Sequence, residues 1–179
     1  MPRNVVARGQ RKGHTLADLA RKDVVGAQGL ATCALPSSGR EPEEYDREVV
    51  GRLREAGAEV VCLAGYMRLL SGYFLAAYPQ RTVNIHPSLL PSFPGLDAQQ
   101  QAIDAGVKFS GCTVHFVDAS LDGGPIIAQA VVAVLDDDDA ASLAARILVE
   151  EHRLYPEAIR LIAGGAYRVA GRRVLRPGP

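Results

Sequence analysis

The stretch AEVVCLAG, residues 58–65, constrains the fold more than any other segment of the chain. It is short and, after Glu59, continuously apolar, as a strand buried on both faces must be, whereas a half-exposed strand would alternate. Before it, EPEEYDREVVGRLREA (41–56) puts Tyr45, Val49, Val50, Leu53 and Ala56 on one helical face. Its acidic residues crowd the first turn, where the helix dipole favours them. After it, Tyr66 to Tyr78 keeps helical spacing through Leu69, Leu70, Phe74 and Leu75, and RTVNI then reads as a second short strand. Strand, helix and strand in this order imply a parallel pair with a crossover. The expected class is α/β, a mostly parallel open sheet with helices on both faces.

Downstream, DAQQQAIDAG (97–106) reads as a helix stopped by glycine, and SGCTVHFVD (110–118) as an alternating strand. ASLDGG is a tight loop, and PIIAQAVVAV beyond it is a long strand. A loop that short favours an antiparallel pair, so the sheet is expected to be mixed. A long helix is expected over 140–163, with an interruption near Pro156, and a terminal hairpin over 166–175 turns at Gly171. The acidic run Asp136 to Asp139 reads as a solvated helix cap rather than a metal site.

Composition excludes some function classes. Hydrophobic residues are 47% of the chain, which fits a globular domain. Lys plus Arg and Asp plus Glu are both 20, so no general charge draws the chain to nucleic acid or to an anionic membrane. Cys33, Cys62 and Cys112 lack metal-like spacing; Cys62 and Cys112 lie in apolar segments, as buried reduced thiols of a cytoplasmic protein would. The opening MPRNVVARGQRKG has no apolar core of signal-peptide length, and no apolar run is long enough to span a bilayer.

The chemistry concentrates in TVNIHPSLLPSFPGL, residues 82–96. Ligands bind at the carboxyl ends of strands in open parallel sheets. Asn84 and His86 stand two apart at such an end, so their side chains point the same way, and Pro87, Pro91 and Pro94 stiffen the loop that follows. Asp122, in SLDGGP, sits where glycines let a loop turn a carboxylate toward an imidazole. An amide, an imidazole and a carboxylate suit acyl transfer: the first two stabilise an oxyanion, and the third orients the imidazole or relays a proton. Each residue also has a plain structural reading, as a turn asparagine, a structural histidine and a turn aspartate. Ser88 lacks the surroundings of a nucleophile. His115, in mid-strand, reads as a core or supporting residue, and His14 and His152 have no zinc-like spacing.

These residues carry a resemblance. NIHPSLLPSFPGL, GCTVHFV, LDGGPII, AGYMRLLS (64–71) and EEHRLYP (150–156) occur in an order similar to that of the phosphoribosylglycinamide formyltransferase family, ungapped from about Glu44 to Gly164. Methionyl-tRNA formyltransferases and formyltetrahydrofolate hydrolases resemble the chain less, the hydrolases departing directly after the histidine, at Pro87. The resemblance implies formyl transfer from 10-formyltetrahydrofolate, a cosubstrate, to the amine of glycinamide ribonucleotide in purine synthesis, without a metal. It implies Asn84, His86 and Asp122 as catalytic residues. It gives Met67, Arg68, Leu69, Leu70, Val117, Asp118, Ala119, Ser120 and Leu121 to the folate, and Glu151 and Pro87 to the nucleotide.

The family opens with an apolar strand, a Gly/Ser/Asn-rich loop and a helix, whose N–H groups cradle a phosphate. This chain does not open so: VVARGQRKGHT is polar and basic, and GHTLADLARKD reads as a short helix. The sheet is therefore expected to lack the usual first strand and phosphate loop. The expected organisation is one domain over 1–179, with a divergent segment 1–25, a family-like core 40–164 and the hairpin 166–175. Several readings follow: an active formyltransferase, a non-catalytic folate-binding relic, a sequence begun too late, or a formyltetrahydrofolate hydrolase. The expected partners are the two small-molecule substrates, with a homodimer left open and no nucleic acid or membrane.

Overall fold

The computed structural model describes residues 3–8, 35–66 and 68–176, the first of these spans by its backbone. The elements are β1 (Arg3–Arg8), α1 (Pro42–Glu55), β2 (Ala58–Ala64), α2 (Gly72–Ala77), β3 (Thr82–His86), α3 (Ala98–Asp104), β4 (Phe109–Phe116), β5 (Ile126–Ala133), α4 (Ala140–Gly164), β6 (Arg168–Ala170) and β7 (Arg173–Leu175). Among the described residues they form one seven-stranded sheet ordered β1-β2-β3-β4-β5-β7-β6. β1, β2 and β3 run parallel, β4 turns antiparallel to β3 and β5 to β4, and β7 runs parallel to β5 before closing a hairpin with β6.

The apolar run of β2 is explained by two cores. Val60 and Cys62 face one, with Val83, Val114 and Phe116 and with Leu143, Ile147, Leu154 and Ile162 of α4. Val61 and Leu63 face the other, with Val50 and Leu53 of α1 and Phe74 of α2. A strand covered on both sides has no solvent face on which to place polar residues.

Three expectations are corrected. Arg3–Arg8 does form a strand, parallel to β2 from Arg3↔Ala58 to Arg8↔Ala64. An edge position tolerates polar residues, and in sequence Val5, Val6 and Ala7 are apolar; the helix read over 13–23 lies outside the described residues. The helix expected over 66–78 is only Gly72–Ala77. Ser71 caps it, accepting from the Phe74 N–H, while the Ser71 N–H donates to the buried Asp46 carboxylate at 2.6 Å, and these bonds fix the start at residue 71. α4 runs unbroken through Pro156. Its apolar stripe on the sheet holds it across the one hydrogen bond a proline must forgo. The acidic run does cap α4: Asp139 makes a capping box with Ser142, and Asp138 pairs with Arg146 at 2.7 Å.

Candidate active site

Alternation along β3 sends Thr82, Asn84 and His86 to one face. The antiparallel register sets Asn84 beside His115 and His86 beside Thr113, and Thr113 in turn beside Gln129. Asn84, His86, Thr113, His115 and Gln129 therefore form a polar patch on the middle of the sheet, while Val83, Cys112, Val114 and Ala130 pack into the core behind it.

Two loops close over this patch. The first, after His86, is tied to the sheet by Thr113, whose hydroxyl donates to the Ser88 carbonyl at 2.7 Å and accepts from the Leu90 N–H at 3.0 Å. Gln129 adds bonds to the Leu90 carbonyl and to the same hydroxyl. The second joins β4 to β5. A Cβ on Gly124 would lie 1.9 Å from the Phe116 carbonyl oxygen, so only glycine allows the loop to turn back so tightly. Asp118 accepts from the N–H and the hydroxyl of Ser120 and stiffens the turn. The loop then presents Asp122, whose Oδ2 accepts from the Gly95 N–H of the first loop at 2.8 Å.

Asp122 lies between two histidines. Its Oδ2 is 3.4 Å from His86 Nδ1, and its Oδ1 is 3.7 Å from His115 Nε2. The side chains of His86, His115 and Asp122 are 6%, 2% and 12% exposed, so little water screens them. His86 Nε2 donates to the Phe93 carbonyl at 2.8 Å. Both nitrogens of that ring thus face oxygen atoms. His115 differs. Burial lowers its pKa, against the Phe116 carbonyl and the Asp122 charge, which raise it. As a neutral ring it donates from Nδ1 to the Phe116 carbonyl at 2.9 Å, and Nε2 accepts from the Asn84 amide at 3.4 Å. The two rings on Asp122 are therefore unequal.

The structure brings Asn84, His86 and Asp122 together as expected, and adds His115 as a contact of the carboxylate. Thr113, Gln129 and Tyr155 were not singled out. The alternation in GCTVHF marks Thr113 and His115 as facing one way, but only the register shows which way. Arg68 donates to the Ser37 carbonyl and stacks 4.7 Å from the Tyr45 ring centre. Leu70 packs near α1 and α2, while Leu69 and Leu121 are exposed. Val117, Asp118 and Ala119 line a cavity of about 370 Å³ with Leu75 and Val169. Pro87 begins the first loop, and Glu151 lines a separate groove of about 210 Å³ with Gln99 and Leu148. The Met67 side chain is outside those described. Among the described residues no group of three or more His, Cys, Asp or Glu is placed to hold a metal, and no helix is long and apolar enough to cross a membrane.

A polar patch on the middle of an α/β sheet, under two loops, is built from an amide, two imidazoles and a carboxylate. The chain belongs to the formyl transferase family, which it matches over residues 12–159. It is 46% identical over 148 residues to the trifunctional purine biosynthetic protein adenosine-3 of Drosophila melanogaster, covering 79% of this chain and 11% of that protein. It thus spans about a tenth of the length of the trifunctional relatives it matches. It is 43% identical over 142 residues to the phosphoribosylglycinamide formyltransferase of Escherichia coli, covering 79% of this chain and 67% of that one. Among solved structures, glycinamide ribonucleotide transformylase 1 of Symbiobacterium toebii superposes with a TM-score of 0.86 at 48% identity, covering 97% of this chain and 80% of the other.

Proposed function

We propose that this chain transfers the formyl group of 10-formyltetrahydrofolate to the amine of glycinamide ribonucleotide. The observation that carries the reading is the buried Asp122 carboxylate set between His86 and His115 beside Asn84. The amine attacks the formyl carbon, a C–N bond forms and the carbonyl oxygen becomes an oxyanion. Asn84 and His86 donate to that oxygen, His86 by releasing the Phe93 carbonyl. The proton shed by the attacking amine passes to Asp122, directly or through water, and on to the folate nitrogen as its C–N bond breaks. Tetrahydrofolate and the formylated nucleotide leave, with no covalent enzyme intermediate and no metal. Arg68, Leu69, Leu70 and the 117–121 loop receive the folate; Glu151 and Pro87 face the nucleotide.

A hydrolytic reading has one supporting observation. A formyltetrahydrofolate deformylase of Pseudomonas syringae superposes with a TM-score of 0.84, covering 99% of this chain at 27% identity. The higher identity to the formyltransferases favours transfer. The reading extends to a cytoplasmic protein, with buried reduced Cys62 and Cys112, whose thiols burial raises to about 11. A homodimer, checked by sedimentation, is its remaining part.

The test is tetrahydrofolate formation from 10-formyltetrahydrofolate with and without glycinamide ribonucleotide. Transfer requires the nucleotide, and His86→Ala should cost on the order of 100-fold in turnover. Formate release without nucleotide would establish the hydrolase. Folate binding without either product would mark a binding relic.

A further inference from the structure

The hydroxyl of Tyr155, on α4, reaches through to the backbone of two strands. It lies 2.7 Å from the Leu63 carbonyl oxygen and 3.0 Å from that of Val83. One phenolic proton is shared between two carbonyls, and burial pushes the phenol well above its ordinary pKa, so it stays a donor.

What those carbonyls belong to gives the contact its meaning. The Val83 carbonyl is half of the peptide unit that ends at the Asn84 nitrogen. Leu63 is the last β2 residue in the β2–β3 register, opposite Asn84, and the chain beyond it runs to Arg68, Leu69 and Leu70. Tyr155 packs with the core of Val83 and Val114, whereas alternation sends the Asn84 side chain to the other face. The hydroxyl therefore grips the end of β2 and the backbone of β3 from behind without entering the site. On α4 itself, Glu151 stands one turn before Tyr155, on the same side of the helix.

We propose that Tyr155 is a positioning residue: its hydroxyl fixes the end of β2 and the Val83–Asn84 peptide of β3, and with it Asn84, against the helix that carries Glu151. The inference rests on the formyl-transfer reading, which gives Asn84 and Glu151 their roles. An acyl transfer between two bound substrates needs their reacting atoms held close, and small misplacements are costly. A hydroxyl joining the helix on the nucleotide side to the strand that carries Asn84 meets that need.

The test is Tyr155→Phe, which keeps the ring and removes the hydroxyl. Turnover should fall about three- to tenfold, the range of one ordinary hydrogen bond, with both KM values within about twofold. The same change in an Asn84→Ala background should cost little further, because the group being positioned is gone. A second readout needs no turnover. The chain has two asparagines, Asn4 and Asn84, so asparagine-selective ¹⁵N labelling gives a reporter and an internal reference. The Asn84 backbone and side-chain amide signals should move in Tyr155→Phe while those of Asn4 stay. Unmoved Asn84 signals, or an equal loss in both backgrounds, would overturn the inference. A variant that no longer folds would also overturn it, marking the hydroxyl as a determinant of stability alone. Wild-type protein without formyl transfer would remove the functional reading, and the Asn84 signals would still decide the clamp.

Discussion

Asp122 meets His86 at 3.4 Å, Oδ2 to Nδ1, from a backbone held in the left-handed region at φ 49°. The arrangement combines a costly conformation with a carboxylate that is almost dry. Asparagine tolerates that φ better than most residues and matches the aspartate in shape, so Asp122→Asn tests charge rather than fold. The amide oxygen can still accept from the Gly95 N–H, but the neutral group can neither take a proton nor hold a charged imidazole. Turnover should fall about 10²- to 10⁴-fold with a nearly unchanged melting temperature, both read on the same preparation.

His115 gives the site a pH signature. Its folded pKa lies below the ordinary histidine value, mainly through burial, so the unfolded chain binds a proton more readily than the folded one. Stability from this group is fully present above the unfolded value of about 6.5 and is lost as pH falls toward the folded one. The loss can be no steeper than about 1.4 kcal/mol per pH unit for one proton. The melting temperature should therefore drop on going from about pH 7 to 5, and His115→Gln should flatten that drop. An equally steep profile in the variant would assign the acid sensitivity elsewhere.

How much of this was legible in the sequence depended on the kind of interaction. The AEVVCLAG strand was readable because burial on both faces leaves a purely local mark. Asn84 and His86 were readable for a similar reason, since a polar pair at a strand end followed by prolines is a local pattern. Asp122 could be singled out, but its meeting with His86 is a long-range contact, supported by the Gly95 N–H that donates to the same carboxylate. His115, Thr113 and Gln129 needed the pairing of β3, β4 and β5, which no local pattern contains. The short α2 shows the same limit. Helical spacing continues back to Tyr66, yet a buried carboxylate from α1, Asp46, holds Ser71 as the cap. The β1 strand was missed because VVARGQRKGHT is too polar and basic for a buried parallel strand, whereas β1 lies at the sheet edge.

Gly124 controls where Asp122 goes. Its added Cβ would sit 1.9 Å from the Phe116 carbonyl oxygen and 2.9 Å from its carbon, both parts of a strand that cannot yield. In Gly124→Ala the loop must move instead, and Asp122 is two residues away. Turnover should fall by about 100-fold, the cost of a misplacement on the order of 1 Å. The stability loss should stay within about 1–3 kcal/mol. Gly106→Ala, after α3, is the control: φ is unfavourable there, at 65°, but no atom lies within 4 Å of the added Cβ and the residue lines neither cavity. It should lose some stability and keep its turnover per folded molecule.

Thr113 is the strongest test of how the first loop serves the site. Its hydroxyl is fully buried and has three partners: it donates to the Ser88 carbonyl and accepts from the Leu90 N–H and the Gln129 amide. Thr113→Val keeps the shape and leaves Ser88 and Leu90 without their bonds. The Gln129 amide still has the Leu90 carbonyl at 3.0 Å, so the cost falls on the loop backbone. Two unmet buried groups should cost about 2–4 kcal/mol. For a chain of this size that lowers the melting temperature by roughly 5–15 °C. The same loop carries the Phe93 carbonyl that faces His86 Nε2, so a loosened loop also lets the ring turn. Turnover in Thr113→Val should therefore fall more than about tenfold even at temperatures where the protein is fully folded. Thr113→Ser, which restores the hydroxyl without the methyl, should recover most of the turnover and only part of the stability. If serine restored stability but not turnover, the methyl packing rather than the hydrogen bonds would be what holds His86 in place.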